Sequence, residues 1–249
     1  MIHSTQAMRV IQITDLHIGR EGEDTYFVDV RENFRRIIAA VQERRPDYLV
    51  LSGDLCYHQG DLEIYAWIKG WIDQLNIPYE VIAGNHDDSQ LLIQAFCRKA
   101  DQKTDGLYFT RSWMNKPVLF MDTAKYKVEE PQLNWLQAQL QTLQGDIALF
   151  IHHPPILVGT PFMDNNHPLT DRDPLLDILC AYPGNIDIFC GHYHVDRTVR
   201  WKNLLVHITP SCFFQIDSYA EDFKVDHYRI AFREISFLPE LTISAVHYL

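Results

Sequence analysis

Five short stretches of this chain each follow an apolar run and carry side chains that bind cations: Asp15-Leu16-His17, Gly53-Asp54, Gly84-Asn85-His86-Asp87, His152-His153-Pro154-Pro155 and Gly191-His192-Tyr193-His194. Carboxylates and neutral imidazoles suit hard or borderline divalent ions, and the mixed set of Asp, Asn and His points to manganese, iron, cobalt or zinc. Asp54 could bridge two such ions. In Asp15-x-His17 and His192-x-His194 the two-residue spacing, on extended backbone, aims both side chains to the same side. Taken singly, each residue has a plainer reading. An aspartate after a strand caps a helix or shapes a turn, Gly84-Asn85 is ordinary turn chemistry, and an isolated histidine is more often a satisfied polar group. Independent turn residues have no reason to produce five such stretches in one chain.

The intervening segments are of the kind that could bring these stretches together. Apolar runs at 10–14, 48–51, 79–83, 147–151 and 186–190 read as strands that end at the polar stretches. In an α/β sheet the residues just beyond the carboxyl ends of the strands converge on one crevice. Helical periodicity predicts helices over 26–44, 62–75, 90–99, 131–140 and 173–180. The spacing of Tyr65, Trp67, Ile68, Trp71, Ile72 and Leu75 marks a core-facing helix. Further strands are expected at 107–110, 118–122, 198–201, 204–208, 228–232 and 241–246, and residues 155–173 read as a long loop. There is no repeat, low-complexity tract or linker, so one domain over 8–249 is expected, with residues 1–7 as a loose extension.

Composition narrows the partners. Acidic residues outnumber basic ones 33 to 22, a net charge of −11 that repels polyanionic nucleic acid. Five scattered cysteines without a C-x-x-C pair read as buried thiols in a reducing compartment. No secretory leader or membrane span is visible, so a cytoplasmic protein is expected. No organic cofactor is called for.

The order D-x-H, G-D, G-N-H-D, H-H-P-P, G-H-x-H resembles the calcineurin-like metallophosphoesterases over about residues 8–194. Within that family, the loop with Gly159 and Met163-Asp164, and the later Thr209-Pro210-Ser211, look most like class III cyclic-nucleotide phosphodiesterases and related glycerophosphodiesterases. The resemblance implies a four-layer α-β-β-α sandwich. It assigns Asp15, His17 and His194 to one metal, Asn85, His152 and His192 to the other, and Asp54 to both, leaving His153 without a family role. Two ions about 3.5–4 Å apart would hold a bridging hydroxide that attacks a small phosphoester in line. His86 is the implied proton donor to the leaving alkoxide, with Asp87 orienting it. The alternatives are a phosphomonoesterase or nuclease on the same centre, and a non-catalytic scaffold of this fold, which would need neither the ligands nor His86. A homo-oligomer stays open, although no segment marks an interface. His58, His167, His207 and His227 match no ligand position, and Tyr57 and Tyr193 could stack on a base or simply pack.

Overall fold

The computed structural model describes residues 7–96 and 106–249. In chain order the elements are β1 (Met8–Ile13), α1 (Val30–Arg44), β2 (Tyr48–Ser52), α2 (Leu62–Ile72), a 3-10 turn at Asp73–Leu75, β3 (Tyr79–Ile82), α3 (Ser89–Phe96), β4 (Phe109–Trp113) and β5 (Lys116–Met121). There follow α4 (Glu130–Thr142), β6 (Ile147–Ile151), α5 (Pro161–Asn166), α6 (Arg172–Ala181), β7 (Ile186–Cys190), β8 (Arg197–Trp201) and β9 (Leu204–Ile208). The last are β10 (Gln215–Ile216), β11 (Val225–His227), β12 (Ala231–Phe237) and β13 (Thr242–Tyr248).

Consecutive side chains of a strand leave on opposite faces, so a strand apolar at every position needs cover on both sides. On β1 and β2, Val10 and Val50 pack against Phe120, Phe150 and Phe189 of the other sheet. Their neighbours Ile11, Ile13, Leu49 and Leu51 join Phe34, Ile37, Ile38 and Val41 of α1. One sheet runs β13-β12-β1-β2-β3 and the other β4-β5-β6-β7-β9-β8. Helices carry the parallel crossovers: α1 and α2 in the first sheet, α4 and α6 in the second. The result is the expected four-layer α-β-β-α sandwich. Because β1, β2 and β3 are mutually parallel, as are β5, β6, β7 and β9, their carboxyl ends share one edge of the molecule.

Three expectations need correction. The helix expected from residue 26 begins at Val30, because Asp29 caps it by accepting from Glu32 N at 2.9 Å, while Asp24 Oδ1 holds Phe27 N in a preceding turn. Phe27 fits the helical period yet is 96% exposed. The loop at 155–173 contains α5, which starts on Pro161, and the Asp164 carboxylate accepts from the amides of Val158, Gly159 and Thr160. The hairpin of β10 and β11 was not expected, since strands of two and three residues leave no period to read. Cys56, Cys190 and Cys212 are buried free thiols, and Cys180 is free but half-buried. Residues 1–6 of the expected extension, 97–99 of the third expected helix, and Cys97 lie outside the described residues. Among the described residues no helix is long and apolar enough to cross a membrane.

Candidate metal centre

The five polar stretches meet at the shared strand edge. The turns after β1 and β2 run side by side, with Asp15 N donating to Gly53 O (3.0 Å), His17 N to Asp54 O (3.0 Å) and Ile18 N to Leu55 O (2.9 Å). The backbone here is not extended, as the two-residue spacing suggested. Asp15, His17, Asp54, His192 and His194 all have positive φ, between 46° and 67°. Left-handed residues recurring at every second position, rather than the strand pleat, bring each pair to one side. Asp, Asn and His tolerate this region better than most side chains, but each instance still costs roughly 1–3 kcal/mol, and such residues concentrate at functional sites. Two glycines are required by crowding. A Cβ on Gly53, itself at φ +102°, would collide with His152 Nδ1, and one on Gly84 would collide with Asp54 Oδ1 and His152 Nε2.

Four groups of donors overlap: His17 with Asp54 and His86, His152 with His153 and His192, and two built on Asp15. Asp15, His17 and His194 form one, with His194 Nε2 at 3.3 Å from Asp15 Oδ1 and at 3.2 Å from His17 Nε2. Asp15, Asp54 and His152 form the other, with His152 Nε2 at 3.3 Å from Asp54 Oδ2. Asp54 also stands 3.7 Å from His17 Nε2, so its carboxylate reaches both groups. The Asp15 carboxylate accepts from His192 N, and Asp54 Oδ1 accepts from His86 N at 2.9 Å.

Three backbone carbonyls decide which ring nitrogens face the centre. A carbonyl oxygen can only accept, so the nitrogen facing it carries the hydrogen and the other keeps its lone pair in the neutral ring. His152 Nδ1 donates to Ser52 O (2.8 Å), His192 Nε2 to His167 O (2.9 Å) and His194 Nδ1 to Phe214 O (2.9 Å). Lone pairs on His152 Nε2, His192 Nδ1 and His194 Nε2 are left for a cation. Asn85 Oδ1 and His152 Nε2 are buried without a hydrogen-bond partner, a costly arrangement that bound cations would relieve. The donor set therefore fits divalent metal ions.

Electrostatics agree with this fit. Burial pushes His17 and His192 down to about 3, so both rings are neutral, as metal ligation requires. Burial also opposes charge on His152, but the Asp54 and Asp15 carboxylates override it and raise this ring to about 9. Burial likewise opposes ionisation of Asp54, yet His152 and His17 hold it well below the ordinary carboxylate range. A cation held by Asp54 and His152 would take over the role of that proton.

Asp87 does not contact the His86 ring as expected. Its carboxylate accepts from the amides of Leu55, Cys56 and Gly84 and from the Tyr65 hydroxyl (3.0 Å), tying the turn after β3 to the turn after β2. Burial and the nearby Asp54 charge push Asp87 up to about 6. Tyr193 is fully buried and packs. His153, left out by the resemblance, groups with His152 and His192, with Nδ1 against Thr123 Oγ1 (2.8 Å) and Nε2 buried without a partner. A polar relay behind the centre also escaped the sequence reading. Arg233 Nε donates to Thr209 Oγ1 (2.9 Å), Thr209 to Gln12 Oε1 (2.7 Å), and Gln12 to Ser52 Oγ (2.8 Å), the residue whose carbonyl orients His152. The visible signal was Gln12, a lone amide inside an apolar strand.

The profile of the calcineurin-like phosphoesterase family matches residues 8–196, and this chain belongs to that family. It is accordingly a hydrolase of phosphoric esters. The chain is 32% identical over 212 residues, 85% of its length and 82% of the relative's, to a Fibrobacter succinogenes protein named "Probable cyclic nucleotide phosphodiesterase". It is 29% identical over 220 residues, 84% of this chain and 80% of the relative, to "Probable glycerophosphodiester phosphodiesterase GpdQ" of Arcobacter nitrofigilis. Its fold is similar to that of a dimetal phosphatase from Danio rerio, with a TM-score of 0.68 at 14% identity over 95% of this chain and 98% of the other.

Proposed function

We propose that the protein hydrolyses small phosphodiesters, a 3′,5′-cyclic nucleotide or a glycerophosphodiester, with two divalent ions drawn from manganese, iron, cobalt and zinc. The observation that carries this reading is the carbonyl-pinned set His152, His192 and His194, with the free Nε2 of His152 at the Asp54 carboxylate and that of His194 at Asp15. Asp15, His17 and His194 would hold one ion, Asn85, His152 and His192 the other, and Asp54 both. Such a pair, when bound, supplies Lewis acidity and a water activated toward hydroxide at neutral pH.

The chain's own residues supply the rest. His86 lies edge-on to His17, ring centroids 4.9 Å apart, with its backbone fixed by Asp54 and Nδ1 unpartnered. It hands a proton to the departing alkoxide. Asp87 and Tyr65 hold the His86 turn at a fixed distance from the Asp54 turn. A diester carries one negative charge and so tolerates an acidic protein of net charge −11 better than a polyanion would. The free thiols Cys56, Cys190 and Cys212 support a reducing, cytoplasmic setting.

The test is a hydrolysis panel of cyclic nucleotide, glycerophosphodiester, model diester and model monoester, run with each metal. Diesters should be turned over and monoesters poorly. A protein inactive on every diester with every metal would overturn the reading. His86→Ala should slow esters with poor leaving groups about 100-fold and nitrophenyl esters much less. Equal losses on both would remove the proton-donor role.

A further inference from the structure

An arc of aromatic rings begins and ends on the histidines of the metal centre. Phe213 lies 5.1 Å from His17 and Phe214 5.4 Å from His194, ring centroid to ring centroid. From Phe214 the arc continues to Tyr26 (5.4 Å) and Phe223 (5.9 Å), then through Phe162 to His167 (5.6 and 5.5 Å). The His167 carbonyl accepts from His192, which closes the arc on the opposite side of the centre. Four separate segments contribute, before α1, around α5, between β9 and β10, and between β10 and β11.

The inner and outer members of the arc differ. Phe213 and Phe214 are buried and serve as packing. Tyr26 and Phe223 keep 44% and 42% of their surface exposed, at the solvent edge of the same cluster. Tyr26 and Phe27 both hold left-handed backbone, at φ 56° and 58°, in a turn where glycine or asparagine would sit without strain. Bulky aromatics at such positions are outliers that persist where a site uses them. Of the exposed charged neighbours in sequence, Asp24, Glu221 and Asp222 are acidic, and the one cation, Lys224, is paired with Asp217 at 2.7 Å, so the surroundings do not favour a further anionic group on the bound molecule.

Ring spacing selects between two kinds of uncharged or cationic group. An aromatic cage around a choline-type cation needs facing rings roughly 7–8 Å apart, since each must stand about 3.5–4 Å from the cation. The centroids of Tyr26, Phe214 and Phe223 are 5.4 to 6.1 Å apart, so these rings already touch each other and nothing fits between them. They form a stepped shelf: Tyr26 and Phe223 stand at 84° to each other, so a planar group lies flat on one ring and meets the other at its edge. We infer that the base of a nucleoside 3′,5′-cyclic phosphate, whose phosphodiester sits at the metal centre, stacks on Tyr26 with its edge against Phe223. This inference rests on the phosphodiesterase reading and selects the nucleotide over the glycerophosphodiester within it.

The test compares Tyr26→Ala, Phe223→Ala and Tyr26→Phe with the wild type, using cyclic AMP, glycerophosphoethanolamine and glycerophosphocholine as substrates and AMP as a binding probe. Each alanine variant should raise KM for cyclic AMP roughly tenfold, the lower range of what base–aromatic stacking contributes. The kcat/KM ratio of cyclic AMP to glycerophosphoethanolamine should fall by a similar factor, and Tyr26→Phe should restore it, since phenylalanine keeps the ring. Equal losses on all substrates, a larger loss on glycerophosphocholine, or no change would each overturn the shelf. If the wild type hydrolyses no diester, the phosphodiesterase reading fails and the shelf is judged on AMP binding alone. A tenfold weaker Kd in the alanine variants then upholds it, and an unchanged Kd overturns it.

Discussion

The layer between the two sheets has an apolar end and a polar end, and four of its strands change character within two residues. On the face shared by both sheets, Val10 gives way to Gln12 on β1, Val50 to Ser52 on β2, Phe150 to His152 at the end of β6, and Ile235 to Arg233 on the antiparallel β12. The apolar end is filled by stacked rings, with Phe120, Phe150 and Phe189 at centroid separations of 5.2 and 5.1 Å. There, burial and ring contact hold the sheets together. The polar end holds five left-handed residues and several unpartnered donors, and it does not contribute stability in the same way. One end fixes the sandwich so that the other can keep a strained, polar arrangement ready for cations.

Substitutions at each end should therefore fail in different ways. The largest effect on stability is expected from Phe150→Ala, about 3–5 kcal/mol by urea unfolding, because it leaves a cavity in the stacked column. Metal content of the protein that stays folded should be unchanged. A loss below about 1 kcal/mol would show that the apolar end does not carry the sandwich.

Acid should weaken the apolar end next, through one buried histidine. Burial, aided by Arg233, pushes His207 down to about 4, and its ring stacks on Phe189 at 5.0 Å. The folded protein binds this proton less readily than the unfolded chain. The stability is therefore complete above the ordinary histidine value of 6.5 and is lost as pH falls from there to about 4, amounting to about 3 kcal/mol. Wild type minus His207→Leu, measured by denaturant unfolding from pH 7 to 4, should show that slope. A flat difference curve would contradict it.

Gln12→Leu carries apolar character one step into the polar end. It leaves Ser52 and Thr209 without their shared partner, so His152 loses its rigid support. Metal affinity should drop about 10- to 100-fold, the usual effect of losing an outer partner of a ligand, with stability falling less than in Phe150→Ala. Calorimetric titration with zinc or manganese reads this directly, and an unchanged affinity would detach the relay from the centre. The smallest effect, about 1–2 kcal/mol of stability, is expected from Tyr65→Phe, which removes the hydroxyl that donates to Asp87 and accepts from Asp88 N, within a network of several bonds. A loss above about 3 kcal/mol would mean that the His86 turn hangs on this hydroxyl alone.

The sequence made the first layer of the centre legible because side-chain type and motif order carry that information. Asp15, His17, Asp54, His152, His192 and His194 lie in overlapping clusters at the strand ends. The supporting layer was not legible, since Ser52, His167 and Phe214 act through backbone carbonyls that every residue possesses. Backbone handedness was hidden as well: two-residue spacing reads the same on a strand and on the left-handed turns that are present. Asp87 was misread for a related reason. Its place beside His86 in sequence suggested a bond to that ring, whereas the turn aims its carboxylate at the amides of Leu55 and Gly84.

The most direct test of the central claim is the metal content of purified wild type and Asp54→Ala after loading with manganese or zinc. Asp54 is the carboxylate that reaches both donor groups, so the wild type should retain two ions per chain and Asp54→Ala close to none, with folding intact by circular dichroism. Two ions retained in Asp54→Ala, or none in the wild type, would contradict a shared two-ion centre.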